Sequence, residues 1–212
     1  MSTADRTMAL EKRKLRQEML ARRRGLAHAA MHGANQSIAR HFADHPILAF
    51  APSFAGYIAI RGELDVLPVF DMMARYRKDT ALPCITESGR LQFRRWRRGD
   101  PLVRSAALNV QEPAANVETI IPALVLVPLL AFDGEGYRLG YGAGYYDRTI
   151  ELMRRFEHPP LFIGVGHSSQ EIDQVPVEPH DAPLDGILTE LGVSMFHYAS
   201  QAMLPSEPGA HA

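Results

Sequence analysis

Gly140, Gly142 and Gly144 stand at alternate positions between a continuous apolar run, Leu124 to Leu130, and a segment of helical spacing, Tyr145, Tyr146, Thr149, Ile150, Met153 and Phe156. This order, strand then glycine loop then helix, requires a fold in which a buried strand feeds a helix through backbone free to take positive φ. The amides at such a helix start point at whatever the loop holds, and the helix dipole favours an anion there. Arg138 and Arg148 add positive charge at both ends, and Asp147 offers a hard oxygen for a magnesium ion carried by a nucleotide. Two readings stay open: a polyphosphate cradle, or a tight strand-to-helix connection in which Asp147 is only a favourable first-turn acid. The spacing is neither the dinucleotide fingerprint nor a P-loop, because no Lys-Ser or Lys-Thr pair follows.

The rest of the chain repeats this alternation. Helices are expected over Met8–Leu26, Gln36–Ala43 and Val66–Arg77, the last with Asp65 as its cap and Pro68 in its first turn. Buried strands are expected at Ala55–Ile60, Leu124–Pro128, Leu161–Gly166 and Gly186–Thr189, and a hairpin at Thr80–Ile85 and Leu91–Trp96 around Glu87-Ser88-Gly89. Pro101–Thr119 reads as irregular, with a short helix and a loop, and His167-Ser168-Ser169 starts a short helical turn. Short apolar runs between helices predict an α/β fold: one layered domain, residues 1–203, with a mostly parallel sheet flanked by helices and a flexible tail at 204–212. Such sheets bind ligands at the carboxyl ends of their strands, where Glu63, the 138–147 loop and His167 would share one edge.

With 212 residues, 46% hydrophobic and 22% charged, and a net charge of −1, the chain has the totals of an ordinary soluble domain with no global bias toward nucleic acid. One cysteine, Cys84, excludes an intramolecular disulfide and a cysteine metal cluster. No apolar segment reaches the ~18 residues needed to span a bilayer, and the basic N-terminus lacks the apolar stretch of a signal peptide, so a cytoplasmic location is expected. Locally the charge is uneven: residues 1–24 hold eight Lys/Arg, 90–98 hold five arginines around Phe93 and Trp96, and 171–190 hold six acids and no Lys or Arg. On the first helix Met8, Leu15, Met19 and Leu26 form one stripe, flanked by Lys12, Arg16 and Arg23. That flank is either a solvated basic face or a row of cations reaching into a cleft.

Three motifs in order carry a resemblance: Lys12-Arg13-Lys14-Leu15-Arg16, Gly62-Glu63-Leu64-Asp65, and Leu139-Gly140-Tyr141-Gly142-Ala143-Gly144-Tyr145-Tyr146-Asp147-Arg148. With the closing stretch Val175–Asp181, they make the chain from Lys12 to about Glu190 resemble the 5-formyltetrahydrofolate cyclo-ligases, also called 5,10-methenyltetrahydrofolate synthetases. The resemblance implies a fold akin to sugar-phosphate isomerases and CoA transferases. It implies cyclisation of 5-formyltetrahydrofolate to 5,10-methenyltetrahydrofolate with cleavage of ATP to ADP and phosphate, and Mg2+ as cofactor. It also implies roles. Lys12, Arg13, Lys14, Leu15 and Arg16 would hold ATP, with Lys12 and Arg16 closest to the chemistry. Arg138, Leu139, Gly140, Tyr141, Gly142, Ala143, Gly144, Tyr145 and Tyr146 would form the nucleotide loop. Tyr141 to Tyr145, Ile58 and Glu63 would contact folate, and Asp147 and Asp181 would bind the metal. Some relatives have lysine at the position of Ala143 and arginine at that of Tyr141, so Arg138, Arg148 or the Arg94–Arg98 cluster would supply the missing charge. The expected partners are 5-formyltetrahydrofolate and ATP, with no nucleic acid and no membrane, in a monomer or weak homo-oligomer. Two rivals remain: a noncatalytic nucleotide or sugar-phosphate sensor of the same fold, and a single-stranded RNA binder using Arg90–Arg98 with Phe93 and Trp96.

Overall fold

The computed structural model describes residues 3–26, 28–105 and 110–196. The N-terminal helices are α1 (Thr3–Arg24), α2 (His28–Asp44) and α3 (Pro46–Ala49). Strand β1 (Ser53–Ala55), helix α4 (Leu67–Arg75) and strands β2 (Asp79–Ile85) and β3 (Leu91–Arg95) follow. Next come the short strands β4 (Val103–Arg104), β5 (Gln111–Glu112) and β6 (Thr119–Ile120), then β7 (Leu124–Pro128), β8 (Ala131–Phe132) and β9 (Arg138–Leu139). Helix α5 (Tyr145–Met153), β10 (Leu161–Val165), a 3-10 turn at Ser168–Gln170, β11 (Gly186–Thr189) and β12 (Gly192–Met195) complete the described chain.

Eight strands form the main sheet in the order β12-β11-β10-β7-β1-β2-β3-β6. The central run from β11 to β2 is parallel, and β12, β3 and β6 join antiparallel at the two ends. From β1 the chain steps outward to β2 on one side, and from β7 to β10 and β11 on the other. The direction reverses between β1 and β7, and a crevice opens at the carboxyl ends of strands at such a point.

The middle strand shows why the sheet is buried on both faces. Leu124 and Leu126 of β7 join the core under α2 and α4, with Ile38, Phe42, Phe70 and Met73. Val125 and Val127 point the other way and meet Ile150 and Met153 of α5. A strand alternates its side chains between faces, so a strand covered on both sides must be apolar throughout. Each such side chain stabilises the fold by about 1.5–3 kcal/mol, and Leu126→Ala would cost about 2–5 kcal/mol through the cavity it leaves.

Several expectations need correction. The apolar stretch Ala55–Ile60 is sheet only at its start, since β1 ends at Ala55. Beyond it the Gly56 amide donates to Ala81 O, and the chain then peels away. Gly56 has no room for a side chain there: a Cβ would lie 2.5 Å from Phe70 Cε2. The region 101–119 contains a small antiparallel ladder, β4 with β5, and no helix among its described residues. Strand β12 was not expected; it is short, partly polar and pairs only along the sheet edge. Asp65 was expected to cap α4, but Val66 holds the N-cap position without a side-chain bond; Asp65, one residue earlier, accepts through Oδ1 from the Leu67 amide at 2.9 Å. The tail expected at 204–212, like residues 197–203 at the end of the expected domain, lies outside the described residues.

Candidate active site

A cavity of about 490 Å³ opens at the carboxyl ends of β1, β2 and β7, where the sheet reverses direction. Ile58, Ile60 and Glu63 reach it from beyond β1, Ile85 from β2 and Pro128 from β7. The glycine loop forms one wall, and α1 brings Lys12 and Arg16 across it.

The two α1 cations are four residues apart, so one helix face carries both. Arg16 Nε donates to Gly140 O at 2.9 Å. Gly142 has φ 96, which favours glycine, and a Cβ there would lie 3.1 Å from Arg16 Cζ, so the guanidinium would have to shift slightly. Lys12 is buried, with Nζ 2.7 Å from Glu178 Oε2 and 2.5 Å from Asp181 Oδ2. Gly144 starts α5 in left-handed geometry without a side-chain cap. The first-turn amides of α5 therefore stay free of side-chain acceptors.

A carboxylate sits on the other side. The turn after β1 places Arg61 and Gly62 in the left-handed region, with φ 50 and 75, and closes through the Glu63 amide on Ile60 O. Glu63 is buried, accepting from the Ile60 amide at 2.9 Å and from the Tyr141 hydroxyl at 2.7 Å. Burial raises its pKa, while the Tyr141 and Ile60 bonds and the nearby Arg23 and Arg61 work in the opposite direction. Burial, reinforced by the Glu63 charge, pushes Tyr141 up to about 12, so it stays a hydrogen-bond donor at neutral pH. Tyr57 and Tyr146 are raised for the same two reasons.

Lys12, Arg16, Ile58, Glu63, Arg138 to Asp147 and Asp181 all line this one cavity. Arg13, Lys14 and Leu15 do not. They are rotated by about 100°, 200° and 300° from Lys12 around the helix. Arg13 is exposed, Lys14 pairs with Glu18 on the surface, and Leu15 packs toward Leu139 and Val175. Asp147 faces Arg138, with Oδ1 2.7 Å from Arg138 Nη2. Among the described residues, Glu178, His180 and Asp181 form a group whose ligand atoms all lie within 4.8 Å of one another. Asp181 was expected there; Glu178 and His180 were not assigned, although both lie in the closing stretch Val175–Asp181 that carries part of the resemblance.

Of the proposed substitute cations, Arg138 lines the cavity, and it and Arg148 are already hydrogen-bonded within the protein. Arg138 holds Ala182 O and Asp147, and Arg148 holds Gly89 O and Ala143 O. Arg94, Arg95 and Arg98 do not line the cavity. The cations that flank Tyr141 are Arg23 and Arg61, 5.8 and 5.4 Å from its ring centre. The RNA reading fails on burial: Phe93 is 1% exposed and Trp96 4%, so neither offers a stacking face. His167 turns away from the cavity and caps the 3-10 turn, accepting from the Ser169 amide.

A parallel-sheet crevice walled by amide-rich glycine turns, with cations on one side and a buried carboxylate on the other, defines an α/β protein built to hold an anionic ligand beside a polar organic one. Similarity to known proteins narrows the class. The family model for the 5-formyltetrahydrofolate cyclo-ligase family matches residues 8–190. The 5-formyltetrahydrofolate cyclo-ligase of Escherichia coli K12 is 31% identical over 174 residues, 79% of this chain and 94% of that protein. The Haemophilus influenzae protein of the same name is 28% identical over 184 residues, 84% of this chain and 97% of its own length. The solution structure of Aquifex aeolicus 5,10-methenyltetrahydrofolate synthetase superposes with a TM-score of 0.74 at 28% identity, covering 94% of this chain and 99% of that one. The chain belongs to the 5-formyltetrahydrofolate cyclo-ligase family.

Proposed function

We propose that the protein cyclises 5-formyltetrahydrofolate to 5,10-methenyltetrahydrofolate with cleavage of ATP to ADP and phosphate. The supporting observation is that Lys12 and Arg16 meet Gly140–Gly144 in the same cavity that holds Glu63. The triphosphate lies along Lys12, Arg16 and the glycine-loop amides, and the reduced pterin lies toward Glu63, Ile58 and Tyr141. The formyl oxygen forms a bond to the γ-phosphorus as the bond to the β–γ bridging oxygen breaks and ADP leaves. The folate N10 then attacks the formyl carbon, loses its proton, and phosphate departs with the former formyl oxygen. Phosphoryl transfer depends on positioning and charge neutralisation, so no protein nucleophile is needed.

Glu178 and Asp181 offer the hard oxygens a magnesium ion prefers, and they already neutralise one cation, Lys12. They would hold the ion, with Asp147 nearby. Magnesium, when bound, offsets phosphate charge. The exposed nitrogen ligand of His180 is a poor match for it. As the nucleotide enters, Lys12 exchanges these carboxylates for phosphate oxygens.

The test is absorbance of the methenyl chromophore with 5-formyltetrahydrofolate, ATP and magnesium together, then with each left out. The expected result is signal only with all three, and phosphate release that depends on folate. Nucleotide binding without folate-dependent cleavage would favour the noncatalytic reading.

A further inference from the structure

Arg23 is a cation the proposed chemistry leaves idle, yet it is 4% exposed. It lies at the end of α1, on the same flank as Lys12 and Arg16 but nearly two turns beyond Arg16. Its Nη2 donates to Tyr141 Oη at 2.6 Å and its Nη1 reaches Leu129 O at 3.4 Å, while Nε has no acceptor among the described residues. No carboxylate forms an ion pair with it there. A buried guanidinium held only by neutral groups, with one donor unmet, costs stability. Such a cost is expected at a site where function requires the group.

The hydrogen-bond direction supplies that function. Arginine has five donors and no acceptor, so at the Arg23–Tyr141 contact Tyr141 Oη accepts, and the Tyr141 proton is left to Glu63 Oε1 at 2.7 Å. The chain Arg23 to Tyr141 to Glu63 therefore has one polarity. It ties α1 to the glycine loop and to the turn after β1, and Glu63 opens on the cavity. Resting on the reading that Glu63 receives the pterin, we infer that Arg23 is a positioning residue for folate: through Tyr141 it fixes Glu63 as an acceptor facing the cleft.

The charged and titratable groups facing Glu63 are Arg23 from α1, Arg61 from its own turn, Tyr57 before it, Tyr141 from the glycine loop and Tyr146 from α5. Arg23 favours the ionised form of Glu63, so its removal moves the acid limb of folate binding to higher pH.

The experiment is steady-state kinetics of Arg23→Met, Arg23→Lys, Tyr141→Phe and Glu63→Gln, varying each substrate and pH. Arg23→Met should raise KM for 5-formyltetrahydrofolate about tenfold, the effect of losing one charge-assisted link, with KM for ATP within about twofold and the acid limb shifted upward. Arg23→Lys should restore the acid limb, because the charge returns, and recover part of the KM. Tyr141→Phe breaks the same link without touching the charge and should raise folate KM even if Arg23→Met does not fold. An unchanged folate KM and acid limb in folded Arg23→Met, or in Tyr141→Phe, overturns the inference. So does an equal rise in both KM values in Arg23→Met, which would mean displaced α1. Glu63→Gln separates the two levels: an unchanged folate KM there removes the role of Glu63 itself, whereas a large rise there with none in Arg23→Met removes only the role of Arg23.

Discussion

Two basic regions of this chain have similar composition and opposite fates. Residues 90–98 hold five arginines, and the α1 flank holds Lys12, Arg16 and Arg23. Arg94 is half-buried and donates to Pro113 O, while Arg95 and the arginines of the turn after β3 reach solvent. Arg95 pairs with Asp79 and Glu118, and Arg98 with Asp71, all on the surface. The α1 cations face inward, where Lys12 and Arg23 are 6% and 4% exposed. Local charge density does not mark a site. What separates the two regions is backbone geometry. The arginines of 90–98 lie near one end of the sheet and in the turn after β3, within reach of solvent, whereas positions 12, 16 and 23 share one helix face beside the apolar stripe that docks α1. Water screens the first group, and the cavity concentrates the field of the second.

The sharpest way to test that contrast is to remove charge from the inward face. Arg16→Ala should lower kcat/KM by roughly ten- to a hundredfold, the 1.5–3 kcal/mol of a hydrogen bond to a charged group. Lys12→Met should do at least as much. It also leaves Glu178 and Asp181 facing each other without their shared cation, so the thermal midpoint should fall as well. Unchanged kinetics in either folded variant would place the triphosphate elsewhere.

Glu63→Gln comes next, with an expected folate-selective loss of about tenfold. It also tests the pKa argument. A carboxyl whose folded pKa lies above its unfolded value contributes stability that is full below the unfolded pKa and is lost as pH rises through the folded one. Burial raises Glu63, so the ligand-free protein should lose stability over that window, and Glu63→Gln should lack that component. Denaturation midpoints followed from pH 4 to 8 check this; superimposable wild-type and Glu63→Gln profiles would mean that Glu63 is not strained in the free protein. A smaller effect is expected for Asp181→Asn, which should raise the magnesium concentration needed for half-maximal rate by a few-fold with little change at saturating metal. Identical metal titrations would move the ion toward Asp147.

How much of this was legible in the sequence follows the same division. Strand β7 was, because a run buried on both faces must be continuously apolar, and Leu124–Pro128 is nearly so. The stretch 55–60 was read as all strand because apolar residues that wall a cavity look like apolar residues in a sheet. Strand β12 left no periodic trace, since none of its four residues is fully buried and no alternation of apolar and polar side chains is imposed on it. In the site, the spacing of Lys12 and Arg16 fitted a solvated face as well as a cleft wall, and only the motif resemblance pointed them at the chemistry. Arg13, Lys14 and Leu15 were included only as motif neighbours, and helix rotation takes them out of the cleft. Glu178 meets Lys12 across a sequence separation of 166, a distance no local pattern reports. The link from Arg23 through Tyr141 to Glu63 joins three separate segments and is visible only once they are folded together.

The smallest expected effect bears most directly on the comparison. Arg95→Ala removes pairs to Asp79 and Glu118, whose side chains are 42% and 66% exposed. Exposed pairs of this kind contribute about 0–1 kcal/mol, which for a chain of this size shifts the thermal midpoint by at most about 2–4 °C. Turnover should stay within about twofold, because Arg95 does not line the cavity. Raising the salt should shrink even that stability difference, while the Lys12→Met defect should persist, since burial limits screening. A tenfold loss of kcat/KM in Arg95→Ala would break the division, showing that the outward arginines reach the triphosphate through a closed form of the protein. An intact rate with a modest, salt-sensitive loss of stability would keep the outward arginines out of the catalytic machinery.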